Sequence, residues 1–139
     1  IKIADFYLYD SWHSMKKKYL YSSEFRQIGR YGNNDLVNAQ RNLNNFKNVR
    51  FIEGFIPESL NKKNSPKSID WLHIDLNSAK PTMEVLQFFE KKLKKNSIIL
   101  FDDYGSSSHE LARIKIDNWC KKRKGILWAL STGQAIYFT

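Results

Sequence analysis

The fold is decided by residues 69–75, IDWLHID, and by residues 98–103, IILFDD, which follow after a segment of helix length. Both stretches are apolar runs of strand length that end in carboxylate side chains. Continuous apolar runs are typical of parallel strands buried on both faces, and the carboxyl ends of such strands meet at one edge of the sheet. We therefore expect Asp75, Asp102 and Asp103 to converge on one crevice.

Three carboxylates placed together repel one another unless a proton or a cation intervenes. Carboxylate oxygens are ligands that Mg²⁺ prefers, so the pattern predicts a magnesium site formed by Asp75, Asp102 and Asp103. A structural role is the alternative for each residue. The Asp102–Asp103 pair could form a turn or place negative charge at a helix N-terminus, and Asp75 could cap the helix that follows it.

Composition limits the class of protein. The chain has 139 residues, of which 42% are hydrophobic, enough for one domain with a core. No apolar run approaches the ~20 residues that span a bilayer, and the first residues lack the pattern of a signal peptide. The single cysteine, Cys120, excludes an internal disulfide framework. These features predict a cytoplasmic protein with no membrane partner.

The formal net charge of +9 allows two interpretations. It could attract a polyanion such as nucleic acid, or it could belong to a solvated surface. The basic residues are spread over several short runs, and neither zinc-ligand spacing nor an RNA-binding aromatic signature accompanies them. We therefore favour a solvated surface over nucleic-acid binding.

Strand and helix patterns alternate along the chain. Strands are predicted at residues 4–9, 49–53, 69–74, 98–101, 126–130 and 135–138. Helices are predicted after the turn Gly32-Asn33-Asn34, near Pro81, and after Ser107, whose spacing to Glu110 fits a capping box. This order predicts an α/β fold with a doubly wound, mostly parallel sheet and an antiparallel strand pair at its C-terminal end.

Several motifs occur in an order that resembles one family. They are the strand ending at Asp10, FIEGF at residues 51–55, HIDLN at 73–77, FDDYG at 101–105 and TGQ at 132–134. Together they are similar to the macrocin O-methyltransferase branch of the class I S-adenosylmethionine-dependent methyltransferases. The resemblance runs from about Tyr7 to Tyr137, and it implies a Rossmann-like methyltransferase fold.

The resemblance also implies roles for particular residues. Asp10 matches the acidic residue that binds the cofactor's ribose, although it could instead begin a turn with Ser11. Gly54 and Phe55 match the turn beside the adenine of S-adenosylmethionine. The three aspartates match the carboxylates that hold Mg²⁺, and Asn77 stands where related sequences often carry a further aspartate.

Catalytic residues are less clearly indicated. Asp75 is a candidate proton acceptor, and His109 follows the Asp-Asp-Tyr turn closely enough to face the crevice. A histidine at a helix start is commonly an ordinary surface residue, so that alternative stays open for His109. His73 lies within an apolar run, where a core histidine is expected rather than a catalyst.

One part of the family pattern is missing. The resemblance implies a glycine-rich turn after a first strand, and no such motif precedes Asp10. We therefore expect residues 1–139 to form a single methyltransferase-like domain that lacks the first strand and the glycine-rich loop. The chain is then a fragment of a longer protein, or it repairs its sheet by direct pairing of the remaining strands or through a homodimer.

The expected function is magnesium-assisted transfer of a methyl group from S-adenosylmethionine to a hydroxyl of a small molecule, such as a sugar. Two other functions compete with it. A truncated methyltransferase-like domain would not be catalytic, and the missing glycine-rich turn favours it directly. A basic polyanion-binding module is supported by the net charge alone.

Overall fold

The computed structural model describes residues 4–32 and 35–139, which form alternating strands and helices. Five short 3₁₀ turns accompany them, at Lys17–Tyr19, Ser22–Gln27, Lys62–Asn64, Glu90–Lys92 and Ser107–His109. The order along the chain is β1 Phe6–Asp10, α1 Leu36–Asn42, β2 Val49–Glu53, β3 Ile69–Ile74, α2 Ala79–Phe89, β4 Leu93–Phe101, α3 Glu110–Cys120, β5 Ile126–Ala129 and β6 Ala135–Phe138.

The strands form two sheets. β1 and β2 pair in parallel, and a second sheet has the order β3-β4-β6-β5, in which β3 and β4 are parallel and β6 is antiparallel to both of its neighbours. The α/β class and the C-terminal antiparallel pair are therefore confirmed. Within the described residues no ladder joins β1 to β3, so direct pairing does not repair the sheet.

The core lies between one face of the larger sheet and helices α2 and α3. Leu86 of α2, Ile99 and Phe101 of β4, and Tyr137 of β6 are all at most 2% exposed. Trp119 of α3 packs edge-on against Tyr137 with 5.4 Å between ring centroids. Because β3 and β4 are held by this core, the positions of their carboxyl ends are fixed by close packing.

The opposite face of the larger sheet is open to solvent, and we call it the open face. The paired residues Trp71, Ile98, Phe138 and Ile126 form one row across it, and His73, Leu100, Ile136 and Trp128 form the next. Trp71 is 53% exposed and Trp128 is 60% exposed. The expectation of strands buried on both faces is therefore wrong for this sheet.

Three predicted helix starts need adjustment. The turn at residues 32–34 includes Asn33 and Asn34, which lie outside the described residues, and α1 is capped by Asp35, whose Oδ1 accepts from the Asn38 N–H at 3.1 Å. α2 begins two residues before Pro81, which still lies in the first turn, where a missing N–H costs nothing. The capping box of Ser107 was wrong, because a 3₁₀ turn precedes α3 and Ser106 accepts from the Ser108 N–H instead.

Residues 11–31, which we call the strap, connect β1 to the segment before α1 and contain two of the 3₁₀ turns. Glu24 accepts a hydrogen bond from the Ala79 N–H at 2.6 Å, so its carboxylate lies at the N-terminus of α2, where negative charge is stabilised. Arg26 Nη2 donates to the Ser108 carbonyl at 2.6 Å, just before α3. These contacts hold the strap against the ends of both helices.

None of the helices that the structure describes has the length and apolar character needed to cross a membrane.

Candidate functional site

A cleft of about 540 Å³ opens at the carboxyl ends of β1 and β3. Three groups of residues line it. The first comes from β1 and the turn after β2, the second from the ends of β3 and β4, and the third from the strap. In that order, they are Tyr9, Asp10, Gly54 and Phe55, then Asp75, Asn77, Asp102 and Asp103, then Trp12, His13 and Lys16.

The three predicted metal ligands do lie together. One carboxylate oxygen each of Asp75, Asp102 and Asp103 can be chosen so that all three lie within 4.8 Å of one another. The reason is the parallel register, in which Ile74 is paired with Phe101 and both strands end at the same height. Asp102 N–H also donates to the Ile74 carbonyl at 3.0 Å, which extends the pairing by one residue beyond the strands.

Amide groups orient these carboxylates. Gln134 Nε2 donates to Asp102 Oδ1 at 2.6 Å, and the backbone N–H of Asn77 donates to Asp103 Oδ2 at 3.0 Å. Asn77 Nδ2 also donates to Asp75 Oδ1 at 3.2 Å. Neutral donors fix the direction of a carboxylate without neutralising its charge, so these hydrogen bonds leave the negative charge of the cluster in place.

The electrostatics of the cluster are unfavourable for three ionised acids. Partial removal from water raises the pKa of Asp75, and the charges of Asp103 and Asp102 raise it further. Burial likewise raises the pKa of Asp103, although nearby His109 and the Asn77 N–H act in the opposite direction. A divalent cation would remove this repulsion, and the all-oxygen donor set fits Mg²⁺.

His109 lies beside the acidic cluster but inside the protein. It is 5% exposed, and its Nδ1 lies 3.4 Å from Asp103 Oδ1 and 3.2 Å from Ser108 Oγ. Its Nε2 lies 3.0 Å from the side-chain nitrogen of Gln27, a strap residue that is 1% exposed. His109 therefore contacts a predicted metal ligand and is absent from the cleft lining.

The residues predicted to hold the cofactor lie across the cleft from the acidic cluster. Asp10 Oδ1 accepts from the Trp12 N–H at 2.7 Å, so one carboxylate oxygen forms the turn that the sequence left as an alternative. Gly54 has φ +137°, and its N–H donates to the Asp10 carbonyl at 2.9 Å. A Cβ on Gly54 would lie 3.1 Å from Ser59 Cβ, so the close turn favours glycine.

Phe55 presents an aromatic surface in the cleft. Tyr19 stacks on it with 4.6 Å between ring centroids and 12° between ring planes, and His13 is stacked at 6.2 Å. Lys16 Nζ lies 4.5 Å from the Phe55 ring centroid. Tyr19 and Lys16 both lie over the face of the Phe55 ring, so a further planar group can stack there only if one of these side chains moves.

Three other polar residues near the acidic cluster have structural partners. His73 was expected in the core, yet it lies on the open face with its Nε2 3.6 Å from Asp102 Oδ1. Lys80 Nζ donates to the Lys18 carbonyl at 2.7 Å and so binds the strap. Tyr104 donates to Asp117 Oδ1 at 2.6 Å. Burial is the main cause that raises the pKa of the Tyr104 hydroxyl to about 12, and this hydrogen bond is the second.

Sequence reasoning missed the polar residues that support the site. Glu24 and Gln27 are buried, although they stand in a segment rich in aromatic and basic residues. No periodicity marks them, because their partners are 55 and 82 residues away in sequence. Gln134 belonged to a quoted motif, but its contact with Asp102 depends on the hairpin that places it there.

Comparison with solved structures identifies the fold. The O-methyltransferase NovP matches with TM-score 0.84 at 15% identity, over 99% of this chain and 61% of that chain. CalS11, described as a calicheamicin methyltransferase, matches with TM-score 0.77 at 15% identity, over 96% and 60%. A further structure names CalS11 a TDP-rhamnose 3′-O-methyltransferase. The SAH-bound methyltransferase PaMTH1 of Podospora anserina matches with TM-score 0.56 at 17% identity, over 76% and 54%.

These likenesses establish a Rossmann-like methyltransferase fold, and the chain spans about 60% of the length of NovP and CalS11. Among curated protein sequences none matches significantly. A family model described as a methyltransferase domain matches residues 4–104, well over half of the 139 residues, and the match includes both sides of the cleft. The chain therefore belongs to this methyltransferase domain family.

Proposed function

We propose that the protein is an S-adenosylmethionine-dependent O-methyltransferase whose acidic cluster holds Mg²⁺ beside the acceptor hydroxyl. One observation carries the proposal. The oxygens of Asp75, Asp102 and Asp103 lie within 4.8 Å of one another in the same cleft as Asp10 and Phe55. Family membership supports methyl transfer, and the donor set supports the metal.

In this proposal, one side of the cleft binds the cofactor, and the other side binds the metal and the acceptor hydroxyl. On one side, the remaining oxygen of Asp10 accepts hydrogen bonds from ribose hydroxyls, and the adenine lies beside the turn at Gly54 and Phe55. On the other, Asp75, Asp102 and Asp103 hold Mg²⁺, which when bound lowers the pKa of a coordinated hydroxyl. This division brings a methyl donor and a hydroxyl acceptor face to face, which accounts for much of the rate gain in such reactions.

The transfer itself balances as an in-line displacement. The acceptor oxygen forms a bond to the methyl carbon while the bond from that carbon to sulfur breaks, and sulfur keeps the electron pair. The hydroxyl proton leaves to a carboxylate. Asp75 is the better candidate of the two predicted catalytic residues, because it lines the cleft and His109 does not.

The acceptor is proposed to be a hydroxyl of a sugar or a related small molecule. The support is the activity of CalS11, a TDP-rhamnose 3′-O-methyltransferase, together with the macrocin-like motifs of the sequence. A cleft of about 540 Å³ is of the size that binds small molecules. We place this protein in the same macrocin-like branch as part of the proposal.

The test measures methyl transfer from labelled S-adenosylmethionine to a panel of nucleotide sugars, with Mg²⁺ or with a chelator. Activity that the chelator abolishes and Mg²⁺ restores supports the proposal. Asp102→Ala should abolish the magnesium dependence, whereas Asp70→Ala, which removes an exposed carboxylate paired with Lys94, should leave it unchanged. Unchanged dependence in Asp102→Ala would reject the ligand role.

A second candidate is a non-catalytic methyltransferase-like domain. The separation of β1 from β3 favours it, because the two sides of the cleft stand on sheets that no backbone ladder connects within the described residues. In either case we propose that residues 1–139 form one domain whose sheet lacks a strand between β1 and β3. Calorimetric titration with S-adenosylmethionine separates the two functions, since a truncated domain that no longer binds the cofactor gives no binding heat.

A further inference from the structure

A chain of polar contacts runs from the exposed Arg30 through the buried Gln27 and His109 to Asp103. Arg30 Nη1 donates to Gln27 Oε1 at 3.3 Å, and the side-chain nitrogen of Gln27 lies 3.0 Å from His109 Nε2. On its other side, His109 Nδ1 lies 3.4 Å from Asp103 Oδ1. Gln27 and His109 are 1% and 5% exposed, so water does not compete freely for these groups.

The chemistry of these groups determines which ring nitrogen carries the proton. A guanidinium can only donate, so the carbonyl oxygen of Gln27 must face Arg30 and the NH₂ group must face His109. An amide NH₂ also only donates, so His109 Nε2 must accept and carries no hydrogen. In neutral imidazole the proton is then on Nδ1, the nitrogen that faces Asp103 and Ser108.

This tautomer has two consequences. The lone pair of Nε2 is occupied by Gln27, so His109 has no free basic nitrogen with which to take a proton from an acceptor hydroxyl. Its Nδ1, which carries the hydrogen, lies 3.4 Å from Asp103 Oδ1 and 3.2 Å from Ser108 Oγ, while the Asn77 N–H donates to Asp103 Oδ2. Each carboxylate oxygen of Asp103 therefore has an N–H group beside it, and each keeps a second lone pair.

We infer that His109 is a positioning residue, set by Arg30 and Gln27 of the strap as the Nδ1–H tautomer, which orients the Asp103 carboxylate for its role in the acidic cluster. The inference rests on the proposed function for the identity of the metal, and on the geometry alone for the tautomer. Hydrogen-bond partners of metal ligands typically change metal affinity by about 10- to 100-fold when they are removed.

Two amide substitutions separate positioning from packing. In His109→Asn the amide nitrogen can take the place of Nδ1 and still donate to Asp103, whereas in His109→Gln the amide group reaches the place of Nε2 and contacts Gln27. We expect calorimetry to give a Mg²⁺ dissociation constant about 10- to 100-fold weaker for His109→Gln and nearly unchanged for His109→Asn. Equal effects of the two substitutions, with folding preserved by circular dichroism, would overturn the inference.

A second measurement does not depend on the metal. Nitrogen-15 correlation spectra of the metal-free protein at about pH 8, where histidine is ordinarily neutral, distinguish a protonated Nδ1 from a protonated Nε2. We expect Nδ1–H for His109, and a shift towards Nε2–H in Gln27→Leu, which removes the donor. Nε2–H in the unmodified protein would reject the inference. If the unmodified protein binds no Mg²⁺, the metal in the proposed function fails while the spectra still decide the tautomer.

Discussion

At the residue scale, two aspartates of the acidic cluster lie where the ionised form of a carboxyl group is less favourable than in water. Asp75 and Asp103 each have a raised pKa, caused first by partial burial and, for Asp75, then by neighbouring negative charge. Carboxyl groups with perturbed pKa values are common at functional sites, because a repulsion that is present without the ligand is released when the ligand binds. The carboxylates of the cluster therefore repel one another in the metal-free protein, and a bound cation would remove that repulsion.

Asp75→Asn should stabilise the metal-free protein and remove its response to Mg²⁺. The neutral amide has similar volume but no charge, so the repulsion from Asp102 and Asp103 disappears. We expect an increase of about 1–4 °C in Tm, because exposed charge interactions contribute little. Thermal unfolding with and without Mg²⁺ measures both effects, and a lower Tm in the metal-free variant would contradict the prediction.

The pH dependence of stability follows from the same shift. A carboxyl with a raised pKa in the folded state binds protons more readily there than in the unfolded chain, so its contribution to stability rises as pH falls towards its unfolded pKa. Between neutral pH and about pH 4, the difference in free energy of unfolding between Asp75→Asn and the unmodified protein should shrink. Urea titrations at several pH values, without metal, test the sign, and a difference that grows on acidification would refute it.

At the scale of elements, the strap forms part of the wall of the cleft. Its 3₁₀ turns carry Glu24 to α2 and Gln27 to His109, and Lys18 and Tyr19 both contact Glu58 at 3.0 Å. A segment with little regular structure is held by buried polar contacts at both helix ends. The position of Phe55 also depends on it, because Tyr19 stacks on that ring.

Glu24→Gln should loosen the strap. The Ala79 N–H would lose a charged acceptor at the start of α2, which costs about 1–3 kcal/mol for a buried group. Hydrogen exchange of residues 16–28 should accelerate as the strap detaches. Glu110→Gln is the matched control, since it removes an exposed carboxylate from the first turn of α3, and equal destabilisation by both variants would contradict the role of Glu24.

Prediction from the sequence succeeded where a signal is local. The strands at 49–53, 69–74 and 135–138 match the structure, because apolar runs between turn residues need no distant information. The convergence of Asp75, Asp102 and Asp103 could be inferred because parallel strands end at one edge. Glu24, Gln27 and the tautomer of His109 could not be inferred, since they depend on contacts across more than 50 residues.

The exposure of Trp71 and Trp128 was missed for a related reason. An apolar run indicates that a strand belongs in a sheet but not which faces are covered.

At the scale of the whole molecule, the open face and the gap between the two sheets leave the fold incompletely covered. Two rows of mainly apolar side chains lie on four adjacent strands, and the edges of β1 and β3 have no ladder between them within the described residues. Exposed apolar patches and unpaired strand edges both favour association. The expected homodimer stays a prediction, and the open face is where it can be tested.

Trp71→Thr and Trp128→Thr on the open face should each change the free energy of unfolding by no more than about 1 kcal/mol, because threonine suits a strand and both rings are more than half exposed. Trp119→Thr should cost about 3–5 kcal/mol, since that ring is buried against Tyr137. Urea unfolding measures the three losses, and acrylamide quenching should show that the double variant loses most of the accessible tryptophan emission. Sedimentation at the same concentrations shows whether a second copy is present. Losses of unfolding free energy at Trp71 and Trp128 as large as the loss at Trp119 would contradict an open face in solution. If sedimentation also shows a dimer that the double variant abolishes, the dimer interface lies on these two rows.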